Sequence, residues 1–217
     1  MNLKLCIGLL LISRIAFGQS NEAPDIKWSI TTSPFSILGV YNGSLVNLGI
    51  EIKLKDNLSS YSEFGFYNST PVFQFIMNQQ GFIMKEAIKF YTDKQKLFGQ
   101  GGYISMELGY SKSTYLRTDS IAVNQTPTYA KTYSISRKFA GISVHIGARK
   151  QLGSRIIIDF YTGAGIRLNM VKCNLSNSEA RFRELGDWTN PSNFIEKCGT
   201  HIIPKFYLGL NVGYRLL

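Results

Sequence analysis

The chain has no apolar run long enough to cross a bilayer as a helix. Such a crossing takes roughly 20 apolar residues, and the apolar run Leu5–Ile12 near the start is far shorter. Any membrane span must therefore be made of strands. Histidine and cysteine are scarce. His145, His201, Cys173 and Cys198 show no metal-ligand spacing, so no metal site is expected. Glycines such as Gly163-Ala164-Gly165 sit inside a strand pattern and not at a strand-to-helix turn, so no phosphate cradle and no cofactor are expected. Acids are outnumbered, 14 against 24 Lys and Arg, for a net charge of +10. The basic excess is spread over loops and strands, which disfavours nucleic acid as a partner. It suits a surface that is solvated or faces anionic lipid headgroups.

Residues 1–19 read as a secretory signal peptide: Lys4, the short apolar run, and small residues at Ala16-Phe17-Gly18. The remaining chain, residues 20–217, is long enough for one domain. Its net charge falls to about +8, because Lys4 and Arg14 leave with a segment that holds no acid. Two cysteines remain, an even number in a chain bound for an oxidising compartment.

What is abundant is alternation. Eight segments carry apolar residues on every second position, at about 26–32, 45–54, 58–67, 81–91, 102–113, 134–150, 155–169 and 205–217. In the second, Val46, Leu48, Ile50, Ile52 and Leu54 oppose Asn47, Gly49, Glu51 and Lys53. In the last, Phe206, Leu208, Leu210, Val212, Tyr214 and Leu216 oppose Lys205, Tyr207, Gly209, Asn211, Gly213 and Arg215. Glu86 breaks the pattern by falling on the apolar face of the fourth. Helical periodicity fits none of them as well. Mean hydropathy is near neutral, −0.03, as expected where alternation hides a lipid-facing surface.

The intervening connections run to roughly 12, 3, 13, 10, 20, 4 and 32 residues, longer and shorter in turn. An all-β fold is expected: an eight-stranded antiparallel up-and-down transmembrane β-barrel with short periplasmic turns and long extracellular loops. Its polar face must point inward. A lipid-facing Arg or Lys at the midplane costs about 2–4 kcal/mol. Turning Glu51, Lys53, Glu63, Lys85, Glu107, His145, Arg149, Asp159 and Arg167 to lipid together would exceed a folding stability of about 5–15 kcal/mol. An eight-stranded barrel is just wide enough for side chains to fill. A plugged interior is expected, with Glu51, Glu63, Glu107 and Asp159 paired among Arg149, Arg167, Arg215 and the lysines, and with strand eight closing onto strand one.

The runs Asn47–Glu51, Gly81–Lys85 with Ile88–Tyr91, Asp159–Arg167 and Gly209–Arg215 resemble the small outer-membrane β-barrel proteins abundant in Bacteroidota, a domain-of-unknown-function family within the OmpA-like, porin-like group of eight-stranded barrels. Many such barrels end in an aromatic residue; this chain ends Leu216-Leu217. The resemblance implies the cell outer membrane, contact with outer-membrane lipid and lipopolysaccharide, and passage through the barrel assembly machinery. It implies no activity.

Two other functional readings need weighing. Ser143 and His145 share the inward face, and lipid A deacylases on eight-stranded barrels carry a histidine–serine pair. Their order is similar to His-x-Ser, whereas here it is Ser143-Val144-His145. Spacing alone does not bring nucleophile and base into hydrogen-bond reach. A secreted lipocalin-like carrier would need an apolar inside, the reverse of the charge argument. The structural or surface-interaction reading is preferred, with catalytic residues none. In the last long connection, about 170–201, Cys173 and Cys198 stand near the two ends, and a disulfide there contributes about 3 kcal/mol by chain entropy. Phe182, Trp188, Phe194 and Ile195 are expected to form a small lid core, and the loop is the expected place for an extracellular partner.

Overall fold

A computed structural model of the chain describes residues 28–34, 44–68, 77–92, 100–123, 126–175, 179–181 and 197–216. The expected signal peptide at 1–19, the lid residues Phe182, Trp188, Phe194 and Ile195, and the terminal Leu217 lie outside the described residues. The strands are β1 (Trp28–Thr32), β2 (Ser44–Lys55), β3 (Leu58–Asn68), β4 (Met77–Tyr91), β5 (Gln100–Val123), β6 (Thr126–Leu152), β7 (Ile156–Cys173), β8 (Glu179–Arg181) and β9 (Gly199–Leu216).

All pairings are antiparallel. The order is β4-β3-β2-β1-β9-β7-β6-β5, and β5 pairs back onto β4 to close a ring of eight. The chain ends meet where Trp28 faces Leu216 and Ile30 faces Tyr214. Closure removes the sheet edges that strands of this composition would otherwise expose. The rim carrying the chain ends, here the terminal end, also carries the turns 56–57 and 153–155. The opposite, hairpin end carries the connections 33–43, 69–76 and 174–198.

The last strand begins at Gly199 and not at Lys205, β7 runs on to Cys173, and two further differences from the sequence reading have a local cause. The expected 20-residue connection after the fifth strand is not a loop. β5 and β6 stay paired to Val123 and Thr126, so only residues 124–125 separate them. Polar residues between Thr114 and Tyr133 mask an alternation whose inner positions, Tyr115, Ile121, Tyr133 and Ile135, are buried with Val171. The second difference is at β4, which begins at Met77 and not at Gly81. Its register slips between Met77 and Gln80, and Asn78 has φ of 53°. A bulge breaks period two, so these residues do not read as strand. Gly81 follows with φ of 146°, and an added Cβ would strike the Lys112 carbonyl oxygen. The long-short alternation of connections is correspondingly looser, since 69–76 and 92–99 are alike in length.

The outside is apolar. Phe66, Leu108, Val144, Ile146, Phe160 and Ile166 are exposed between about one-half and two-thirds. On β6 the outward residues Ala140, Ile142, Val144, Ile146 and Ala148 lie between exposed Lys138 and Lys150. Along the strand this run measures about 27 Å, and at the tilt of such barrels it covers about 20 Å of an outer-membrane apolar band about 25 Å tall. Trp28 and Tyr214 stand at the terminal rim, where Arg155 Nη1 donates to the Tyr214 hydroxyl at 2.7 Å. Aromatic residues of this kind mark the lipid–water boundary. Glu86 does face outward, and the Ser62 hydroxyl donates to it at 2.9 Å. A closed barrel with a lipid-facing outside and charges within is built as an outer-membrane protein, the inverse of a soluble carrier.

Inside, tyrosines lie over glycines. Tyr103 is directly opposite Gly147, and Tyr161 directly opposite Gly209. A Cβ added at either glycine would overlap the facing ring. The glycines are space for aromatic side chains that fill the bore.

Candidate functional site

Every second residue of each strand points into the barrel, so the interior chemistry is set by phase. At the terminal end the fully buried Glu51 accepts hydrogen bonds from the Ser59 hydroxyl (2.6 Å), the Tyr91 hydroxyl (2.6 Å), Lys89 Nζ (3.1 Å) and Arg149 Nη2. Asp159 accepts from Lys89 Nζ and the Tyr103 hydroxyl, both at 2.8 Å, and Arg149 Nη2 lies 3.8 Å away. Lys89 thus bridges the two acids, its Nζ 4.7 Å from the Tyr61 and Tyr103 ring centres. Two acids and two bases balance in a space without water-scale dielectric, where charge-assisted bonds are strong and unpaired charge is costly.

One layer toward the hairpin end, Glu63 accepts from Asn47 Nδ2 (2.9 Å), the Tyr61 hydroxyl (2.8 Å) and Lys85 Nζ (2.8 Å). Glu107 lies 4.0 Å from His145 Nδ1. The His145 ring packs on Tyr161 and Tyr207, with centroids at 5.4 and 4.8 Å. Ser143 hydrogen-bonds Tyr207. A cavity of about 10 Å³ lies among Tyr61, Glu63, Lys89, Glu107, His145 and Tyr161, room for about one water molecule.

The structure therefore brings together Glu51, Arg149 and Asp159, and places Glu63, Glu107 and His145 in the adjoining layer. Three of the expected network residues stand apart. Lys53 pairs with exposed Asp56 at 3.1 Å, because it sits at the β2 bulge where the strand leaves the bore for its turn. Arg215 lies at the open terminal rim, and Arg167 lies toward the hairpin end. Neither has a carboxylate within ion-pair distance among the described residues, in contrast to the expected pairing. Lys89 is one of the lysines expected among the acids, whereas the tyrosines 61, 91 and 103 supply donors that sequence reasoning did not assign. Their signal is the inward phase they share with the acids. Arg137 and Lys205 are likewise in phase and were not singled out.

At the hairpin end Cys173 and Cys198 form a disulfide, with Cα atoms 5.8 Å apart. β8 pairs with the edge of β5 away from β6, so the chain leaving β7 at Cys173 reaches the far side of the β5–β6 ribbon by Glu179. Cys173 and Leu175 pack on the buried ribbon cluster. Opening the disulfide is expected to slow the protein on denaturing gels relative to the bridged form; equal mobility and two titratable thiols without reductant would exclude the bridge.

No family model matches the sequence, and no curated protein matches it. Among solved structures, the chain is similar to a major outer membrane protein from Thermus thermophilus. The TM-score is 0.48 with 14% identity, over 89% of this chain and 100% of that one. It is also similar to the N-terminal β-barrel domain of Pseudomonas aeruginosa OprF. There the TM-score is 0.34 with 12% identity, over 88% of this chain and 96% of that one.

Proposed function

We propose that this protein is an outer-membrane barrel closed to ions, whose role is to hold a braced β-ribbon and a disulfide-closed loop at the cell surface. The observation that carries this reading is the unequal length of the strands. β4 stops pairing with β5 at Met77–Leu116, and β7 stops pairing with β6 at Cys173–Ile135. β5 and β6 go on beyond both neighbours, with β8 joining β5 only at Ile121–Val123, and from Leu116 to Val123 they rise about 20 Å further. At its base the ribbon shares an apolar cluster with Val171 of β7, and further up it has a polar group of its own, with the Tyr133 hydroxyl donating to Asp119 at 2.6 Å and Arg117 Nε 3.2 Å from the same carboxylate. A structure so supported beyond the lipid is suited to contact an extracellular partner, together with the 170–201 region that the disulfide ties down.

The orientation follows outer-membrane practice, with chain ends in the periplasm and the longer connections outside. Exposed Lys112, Lys138 and Lys172 then form a basic collar just past the apolar band, facing the phosphates of lipopolysaccharide. Biogenesis by the barrel assembly machinery and membership of the Bacteroidota barrel family belong to the same reading. The layered ion pairs, the tyrosine-filled glycines and the one-water cavity support a plugged bore with no catalytic role. Planar-bilayer recording tests it: the refolded protein is expected to leave the baseline unchanged. Sustained conductance steps, abolished by heat denaturation before insertion, would refute the closed bore.

A further inference from the structure

Among the described residues four acids face the bore, and the cations of the terminal and middle layers lie against three of them: Arg149 and Lys89 on Glu51 and Asp159, and Lys85 on Glu63, while Glu107 has the His145 ring 4.0 Å away. Besides Arg215 at the open terminal rim, three inward cations of the described residues are left over on the hairpin side, on consecutive strands of the ring: Arg137 on β6, Arg167 on β7 and Lys205 on β9. Arg137 and Arg167 are 2% and 3% exposed. Among the described residues, Arg137 Nε, Arg167 Nε and Arg167 Nη1 have no hydrogen-bond acceptor, nor has the buried hydroxyl of Ser113, which lies directly opposite Arg137. No carboxylate of the described residues is within ion-pair distance of any of the three cations.

Aromatic rings surround them instead. The Arg167 guanidinium carbon lies 5.0 Å from the Phe139 ring centre, and Lys205 Nζ 5.6 Å from the same ring and 4.3 Å from that of Tyr207. Arg137 lies 6.0 Å from the Tyr115 ring. The three cations are within electrostatic reach of one another, and Lys205 is also within such reach of Glu107 and Lys85. Ring faces soften the burial of a cation but cannot cancel like charges held together. Along β6 the inward neighbours of Arg137 are Ile135 and Phe139, and Arg167 lies across from Gly141, on the terminal side of Phe139. A net positive charge, with buried arginine donors that no described residue accepts from, is complementary to an anion with several oxygens. Arginine's planar fork favours a tetrahedral oxyanion over chloride, because two parallel N–H groups meet two oxygens.

We propose that Arg137, Arg167 and Lys205, with the Ser113 hydroxyl, form a binding site for a phosphate-class oxyanion in the hairpin-side half of the bore. The phosphate comes either free from the medium or as the headgroup of a lipid. The site goes beyond the display role, and its test is independent of conductance.

The test uses the full refolded barrel in a phosphate-free zwitterionic detergent. Inorganic phosphate, against chloride at matched ionic strength, is expected to raise the unfolding midpoint on heat-shift electrophoresis. The rise is about 5 °C or more once phosphate exceeds its dissociation constant about 100-fold, and the phosphorus resonance of phosphate broadens in the presence of the protein. If the source is a lipid, micelles containing phosphorylated lipid A give the shift and the dephosphorylated lipid does not. Arg167→Gln removes one of three repelling charges. Without phosphate it is expected to leave the midpoint unchanged or higher, and with phosphate to abolish the shift. Ser59→Ala, in the terminal layer beside Glu51 and away from the cluster, keeps the response. The proposal is overturned if neither free phosphate nor phosphorylated lipid shifts or broadens anything with the unmodified protein, or if Arg167→Gln responds as the unmodified protein does.

Discussion

Replacing Arg149 by alanine is expected to cost the barrel about 3–5 kcal/mol, the usual penalty for breaking a buried ion pair from one side. Arg149 is fully buried and touches both Glu51 and Asp159. Without it Lys89 alone faces two carboxylates, in a bore with lipid behind the wall. The cost comes from the acids left behind more than from the lost attraction. A second change that removes one of those acids should therefore repair much of the damage. Arg149→Met combined with Glu51→Gln is expected to regain more than half of the loss in urea titrations followed by heat-shift electrophoresis. Equal losses for the single and double variants would mean that Arg149 acts through packing and not through charge.

Gly147→Leu is expected to be comparably severe, about 3–5 kcal/mol, for a different reason. The added side chain needs the volume of the Tyr103 ring. That ring cannot simply rotate away, because its hydroxyl donates to Asp159 at 2.8 Å. Overpacking and the loss of a bond to a buried carboxylate are thus one event. The Tyr103→Ala change gives up that bond but frees the space. Adding Gly147→Leu to it should cost much less than Gly147→Leu alone. Additive losses in the double variant would show that the ring and the glycine do not share the space.

These two residues also show what could be read from the chain. Arg149 and Gly147 fall in the inward phase of an alternation visible in the sequence, and that phase assigns them to the bore. The same phase contained Arg137 and Lys205, yet phase alone could not separate a paired cation from one without an acid. That distinction depends on the height of each residue, which follows from register between strands. Register also decides that Tyr103 meets Gly147 across β5 and β6. Cys173 and Cys198 were legible as a pair because they stand near the two ends of one connection.

The ribbon was illegible for a local reason. Once β5 and β6 pass beyond their neighbours, no lipid faces their outer side, so polar residues return there and the two-residue rhythm blurs. At β4 the bulge around Asn78 shifted the phase itself.

By itself the sequence determined that the chain forms eight alternating strands with charge on one face, and hence a closed barrel with lipid outside. The cost of turning that many charges to lipid allows no other arrangement. Only the tertiary structure decided which charges meet, because ion pairs form across strands whose relative height the sequence does not state. It also decided that the hairpin half of the bore holds three cations and no acid within ion-pair reach among the described residues.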